Sequence, residues 1–134
     1  MYLIDSSIWV DVLRDRTGAR AARLESLVDL RDVVFSRFTQ VELLQGARDT
    51  REWNLLSRYL DTQRFFEPTP DTWRNAARIA FDLRRKGLTV RSALDCCIAQ
   101  TALENGVLLV HRDRDFEAIA SLRPLHQVWL EWGD

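Results

Sequence analysis

The chain has 134 residues, 46% hydrophobic and 29% charged, with a formal net charge of −1. That size suits one domain whose core holds without disulfides or metal staples, and the near-neutral charge excludes a strongly cationic nucleic-acid module. No apolar run approaches the ~20 residues of a membrane span, and "MYLIDSSIWV" lacks the regions of a signal peptide, so a cytoplasmic protein is expected.

The predicted elements begin with "YLI", residues 2–4, a short strand stopped by "DSS", where a serine or aspartate caps a helix. Ile8, Trp9, Val12 and Leu13 follow helical spacing until "DRTG" breaks it. A second helix runs from about Ala19 to Val28. "DVVF", residues 32–35, reads as a strand. "RFTQVELLQGA" reads as a short helix ending near Gly46. Asp49 or Thr50 caps a longer one with Trp53, Leu56, Tyr59 and Leu60 inward. "RFF" is an edge strand and "EPTPDT" a loop and cap. Trp73, Ala76, Ala77, Ala80 and Phe81 carry the next helix, closed by Gly87. Trp9, Trp53 and Trp73 fall on apolar stripes, so core is their default place, with interfaces a further use for Trp. Ser92 to Asn105 form another helix with Gly106 beyond its end. "VLLV" is a strand, Phe116 to Ala120 start a helix, and "HQVWLEW" is a last strand or tail. Helices alternating with short, continuously apolar strands predict an α/β domain with a parallel sheet buried on both faces.

Cys96 and Cys97 are adjacent, cannot staple distant segments, and are expected to be buried thiols. The nineteen cations are eighteen arginines and one lysine. Arginine suits phosphate forks, although a GC-rich coding sequence gives the same bias.

The acids carry the functional argument. Ligands of an open parallel sheet bind beyond the carboxyl ends of its strands. "YLI" ends in Asp5, and "VLLV" leads to Asp113 and Asp115. If the chain stays extended there, His111, Asp113 and Asp115 share one face and Arg112 and Arg114 the other. Glu42 and Asp95 sit in otherwise apolar helical stretches. Each acid also has a structural explanation. Asp5 can cap a helix, and Thr39 to Glu42 match a capping box. Asp95 can answer a helix dipole or Arg91, while Asp113 and Asp115 can pair with flanking arginines. Together, however, the carboxylates would repel one another without a counter-ion. Hard oxygen ligands suit Mg²⁺ or Mn²⁺. No P-loop, dinucleotide fingerprint or Ser-His-Asp pattern is visible. Metal-assisted phosphodiester hydrolysis leads as the chemical class.

Four segments in order, "LIDSSIWV", "QVELLQG", "SALDCCIAQTALENG" and "LLVHRDRDFEAI", resemble the PIN-domain ribonucleases, specifically VapC-type toxins of bacterial toxin–antitoxin pairs. The resemblance spans nearly the whole chain. It implies a single PIN-like three-layer α/β domain over residues 1–134, a central short parallel sheet flanked by helices. It implies an endoribonuclease toxin with one or two Mg²⁺ or Mn²⁺ ions and in-line attack of a metal-activated water on RNA, tRNA or another structured RNA being the expected substrate. Asp5, Asp95 and Asp113 would be the nearest ligands. Asp115 would be a further contributor, and Glu42 would bind directly or through water. Ser7 would support Asp5. His111 stands where the family often has Thr or Ser, as a supporting residue, a softer ligand or a strand end. Setting the five acids aside leaves nineteen cations against fifteen anions. Arg85, Lys86, Arg91 and Arg112 are then candidates for RNA phosphates. A cognate VapB-type antitoxin and a homodimer are the implied partners. The competing classes are a phosphate-accepting signalling domain and a non-catalytic binding domain with an acidic pocket. The first wants a lysine at a strand end, and the only lysine, Lys86, sits at a helix end.

Overall fold

The computed structural model describes residues 1–133; Asp134, the end of the expected domain, lies outside them. The chain runs through β1 (Tyr2–Ile4), α1 (Ser6–Arg14), α2 (Ala19–Leu27), β2 (Phe35–Ser36), α3 (Arg37–Gln45), α4 (Thr50–Asp61) and β3 (Phe65–Phe66). It continues through α5 (Pro70–Arg85), α6 (Ala93–Asn105), β4 (Leu108–His111), α7 (Arg114–Ala120) and β5 (Gln127–Trp129). β1 pairs parallel with β4, and β4 with β5. On the other side of β1, Tyr2 bridges Val33, and β2 pairs parallel with β3. The chain therefore moves outward through β2 and β3, then returns across β1 to add β4 and β5. The reversal falls between β1 and β4, and the crevice at their carboxyl ends is where α/β folds place ligands.

Side-chain alternation along the strands separates two apolar layers. Leu3 and Leu109 pack with Ile79 and Leu83 of α5, Ile98 of α6, and Phe116 and Ile119 of α7. Ile4 and Val110 pack on the opposite side with Ile8 and Trp9 of α1, Leu24 of α2, Leu43 of α3 and Leu60 of α4. A short parallel sheet between two helical layers is the architecture expected. Cys96 and Cys97 are free and buried, as expected, and burial pushes the Cys96 thiol up to about 11.

Five local expectations change. Residues 32–35 do not all join a strand: Asp29 accepts the backbone N–H of Arg31 and starts a 3₁₀ turn over Leu30–Asp32, which delays β2 to Phe35. The Thr39–Glu42 capping box does not form, because Ser36 caps α3 by accepting the N–H of Thr39. Trp53 and Tyr59 are 46% and 45% exposed, not inward; α4 packs mainly on α3 and buries Leu56 and Leu60. Trp73 packs edge-on against Phe38 with one side open to solvent. The extended run after β4 also ends sooner than expected. Asp113 caps α7, so Asp115 sits in a first helical turn rather than on a strand face.

Candidate metal centre

Asp5 links β1 to α1. Its backbone N–H donates to the Val110 carbonyl at 2.9 Å, which locks it to the end of β4. Its Oδ2 accepts the N–H of Ser7 at 3.0 Å as the helix cap. Cap and site are thus the same residue, with one oxygen for each purpose. The second oxygen, Oδ1, is buried and has no hydrogen-bond partner among the described residues. Such an orphaned acceptor is costly unless something completes it.

Glu42 enters from α3, and its Oε1 accepts the hydroxyl proton of Ser6 at 3.0 Å. Ser6 was absent from the expected site. Its position between Asp5 and Ser7 was visible in "DSS", but only the tertiary approach of α3 makes it useful. The Ser7 hydroxyl accepts the backbone N–H of Arg112 at 3.3 Å and so ties α1 to the segment after β4.

Asp95 is the third residue of α6, whose cap is Ser92. It is buried, and it is not paired to Arg91 by a hydrogen bond as the simplest reading of a first-turn acid would have it; Arg91 turns to Asp113 instead. Burial first, then the adjacent Asp115 carboxyl, then the charges of Asp113, Asp5 and Glu42, push the Asp95 carboxyl up to about 8. Burial likewise raises Asp5 and Glu42, with Asp113 adding to both and Asp5 adding to Glu42. Carboxylate oxygens of Asp5, Glu42 and Asp95 lie within 4.8 Å of one another, and so do oxygens of Asp95, Asp113 and Asp115. Asp95 belongs to both triads. Raised carboxyls converging on one point, with an orphaned oxygen among them, fit a hard divalent cation.

Asp113 and Asp115 are held from two directions. Asp113 Oδ1 accepts the N–H of Asp115 at 2.9 Å and the Arg91 guanidinium at 3.2 Å. Asp115 Oδ2 accepts the backbone N–H of Arg91 at 3.0 Å. His111 is fully buried and both its ring nitrogens are engaged. Nδ1 accepts the N–H of Asp113 at 3.1 Å, and Nε2 meets Gln127 Oε1 at 2.6 Å. Phe116 and Trp129 flank its ring. It has no free nitrogen for a metal and acts on the backbone of Asp113. Gln127, which no local pattern marks, completes that arrangement from β5.

A pocket of about 530 Å³ opens over these groups, lined by Asp5, Ser6, Glu42, Asp95 and Asp113 together with Arg20 and Arg112. Arg20 is braced by stacking over Trp132, whose indole N–H donates to Asp11. Arg85 and Lys86 lie exposed at the end of α5, outside this lining, with Arg85 over the Phe81 ring. Beside the acidic pocket runs an apolar groove of about 490 Å³ between α1, α3 and α4, with Leu13, Leu55 and Tyr59 exposed along it. Val10 of α1 lines both. Among the described residues no helix is long and apolar enough to cross a membrane.

The profile of the PIN domain matches residues 2–122. Ribonuclease VapC11 of Mycobacterium tuberculosis is 34% identical over 128 residues, covering 93% of this chain and 96% of that protein. Ribonuclease VapC51 of the same species is 28% identical over 129 residues, covering 96% and 92%. In three dimensions the fold is similar to a chain in the crystal structure of VapBC2 from Rickettsia felis bound to a promoter DNA fragment. The TM-score is 0.77 at 18% identity, over 97% of this chain and 98% of that one. The matched span contains the crevice at β1 and β4 and every acid around it, and on that ground the chain belongs to the PIN-domain family, among its VapC ribonucleases.

Proposed function

We propose that this protein is a divalent-cation-dependent endoribonuclease toxin of the cytoplasm, held silent by a cognate VapB-type antitoxin. The observation that carries the catalytic reading is the Asp5–Glu42–Asp95 convergence around an orphaned carboxylate oxygen. Asp5, Asp95 and Glu42 would hold one Mg²⁺ or Mn²⁺, with Asp113 and Asp115 available to a second. Such a cation supplies Lewis-acid polarisation of the phosphate and lowers the pKa of water.

The chain's own groups do the rest. Ser6 holds Glu42 Oε1, which leaves Oε2 to orient the attacking water and take its proton. The water oxygen bonds to phosphorus, the ester P–O bond opposite it breaks, and the leaving alkoxide takes a proton from solvent. Ser7 and His111 keep Asp5 and Asp113 in place through backbone contacts. Arg20 and Arg112, which line the pocket, bind flanking phosphates. Arg85 and Lys86 extend the path for a structured RNA such as tRNA.

The apolar groove supports the antitoxin reading. An apolar segment seated there follows α1 directly into the acidic pocket, where a cationic side chain would neutralise the carboxylates. The exposed Trp73 of α5, packed on Phe38 of α3, supports a homodimer through that face. The deciding experiment is cleavage of total RNA with Mg²⁺, Mn²⁺ or EDTA by the wild type and Asp95→Asn. Cleavage in EDTA, or full activity of the variant, would sink the metal mechanism.

A further inference from the structure

The two triads share Asp95 but differ in what already occupies them. In the first, Asp5 Oδ1 is buried without a partner, and Glu42 is met by the neutral hydroxyl of Ser6. In the second, a cation is built in. The Arg91 guanidinium lies 3.2 Å from Asp113 Oδ1 and 4.0 Å from Asp115 Oδ2. The backbone N–H of Arg91 donates to that same Asp115 oxygen at 3.0 Å. Asp113 Oδ1 also accepts the N–H of Asp115. An ion entering this triad must compete with the guanidinium for these oxygens. An ion entering the first triad completes Asp5 Oδ1, which no donor among the described residues reaches.

We infer that Arg91 is an internal counter-ion for the Asp95–Asp113–Asp115 triad and makes the two cation positions unequal, with Asp5–Glu42–Asp95 the tighter. The inference rests on the divalent-cation reading above. Its size follows from exposure. The Arg91 side chain is 79% exposed while its two partners are largely buried. A solvated guanidinium is a weak competitor, so Arg91 lowers the affinity of the second position without closing it. It also assigns Arg91 a purpose other than phosphate contact in the RNA-free protein.

The test is a Mn²⁺ titration of the RNA-free protein, read by electron paramagnetic resonance of free ion and by calorimetry. Wild type, Arg91→Gln and Arg91→Lys are compared at one pH. Arg91→Gln keeps bulk and hydrogen-bond donors without charge, and the backbone N–H to Asp115 survives in both variants, so melting in EDTA should stay within a few degrees of wild type. The expected result is one tight ion in wild type with a second that is weak. Arg91→Gln should tighten the second about three- to fivefold and the first by less than about twofold, while Arg91→Lys keeps most of the wild-type gap. Equal tightening of both positions, or an unchanged second position, overturns the inference and leaves the metal site standing. Failure of the wild type to bind Mn²⁺ overturns both.

Discussion

His111 Nδ1 accepts the backbone N–H of Asp113 at 3.1 Å, so a buried imidazole at the end of β4 sets the direction of the residue that caps α7. The bond requires Nδ1 to be unprotonated, which puts the ring proton on Nε2, facing Gln127 Oε1. The imidazole is thereby committed to a backbone contact, which leaves the carboxylates as the groups available to the proposed cation.

Gln127→Leu removes the acceptor of that ring proton. A buried donor without a partner costs about 1–3 kcal/mol. Thermal melting of the variant should fall by several degrees, and metal affinity should weaken as Asp113 loosens. A melting point equal to wild type would show that His111 finds another partner.

Asp95→Asn should separate stability from activity. The substitution removes the charge that both triads share, so RNA cleavage should drop about 100-fold or more. Without metal and below about pH 8 the folded Asp95 must stay protonated where the unfolded chain is ionised, a cost that Asn avoids, so the variant in EDTA should be more stable by about 1–2 kcal/mol. Denaturant titration and a cleavage assay on the same preparation decide it.

The pH dependence follows from the raised Asp95 carboxyl. Its ordinary value is 3.8 and its folded value about 8. Between these, the unfolded chain has released a proton that the folded chain keeps, so this group makes metal-free stability fall as pH rises through that window. A divalent cation binds the ionised form, so its stabilisation grows over the same range. The gap between melting temperatures in Mg²⁺ and in EDTA should widen as pH is raised from about 5 to about 8. A gap that does not change with pH contradicts the assignment.

Ser6→Ala leaves every carboxylate in place but removes the hydroxyl that donates to Glu42 Oε1. Loss of such an orienting contact typically costs 10–100-fold in metal affinity or activity. The expected result is a kcat lowered about tenfold with little change in melting temperature. Ser6→Thr, which retains the hydroxyl, should recover much of it.

Leu55→Glu places a charge on the exposed lip of the apolar groove, away from the acidic pocket. Cleavage by the free protein should be unaffected. Inhibition by the antitoxin should need at least tenfold more of it, because a carboxylate buried in an apolar contact is strongly disfavoured. Unchanged inhibition would move the antitoxin to another face.

The fold class was readable along the chain because period and punctuation are local. The strand after Met1, the Ser92 cap and the Gly106 stop, with φ 63°, all appear where the residues put them. The five acids stood out for the same reason: Glu42 and Asp95 interrupt apolar helical stretches, and Asp5, Asp113 and Asp115 follow short apolar strands. What local pattern could not supply was partnership. The apolar spacing of Trp53 matches that of Leu56 and Leu60, yet only a neighbour in space can bury a stripe, and α4 buries Leu56 and Leu60 while Trp53 stays exposed. Thr39 and Glu42 spell a capping box, yet Ser36 accepts the N–H of Thr39 and starts the helix earlier, so Thr39 lies inside α3 instead of at its cap. Ser6 meets Glu42, Gln127 meets His111 and Arg91 meets Asp113 across separations of 36, 16 and 22 residues. Local pattern was enough to say which residue types could bind a cation and on which elements they ride. The tertiary structure alone decided which oxygens are left empty and which are already answered, because hydrogen bonds and charge pairing depend on distance in space and not along the chain.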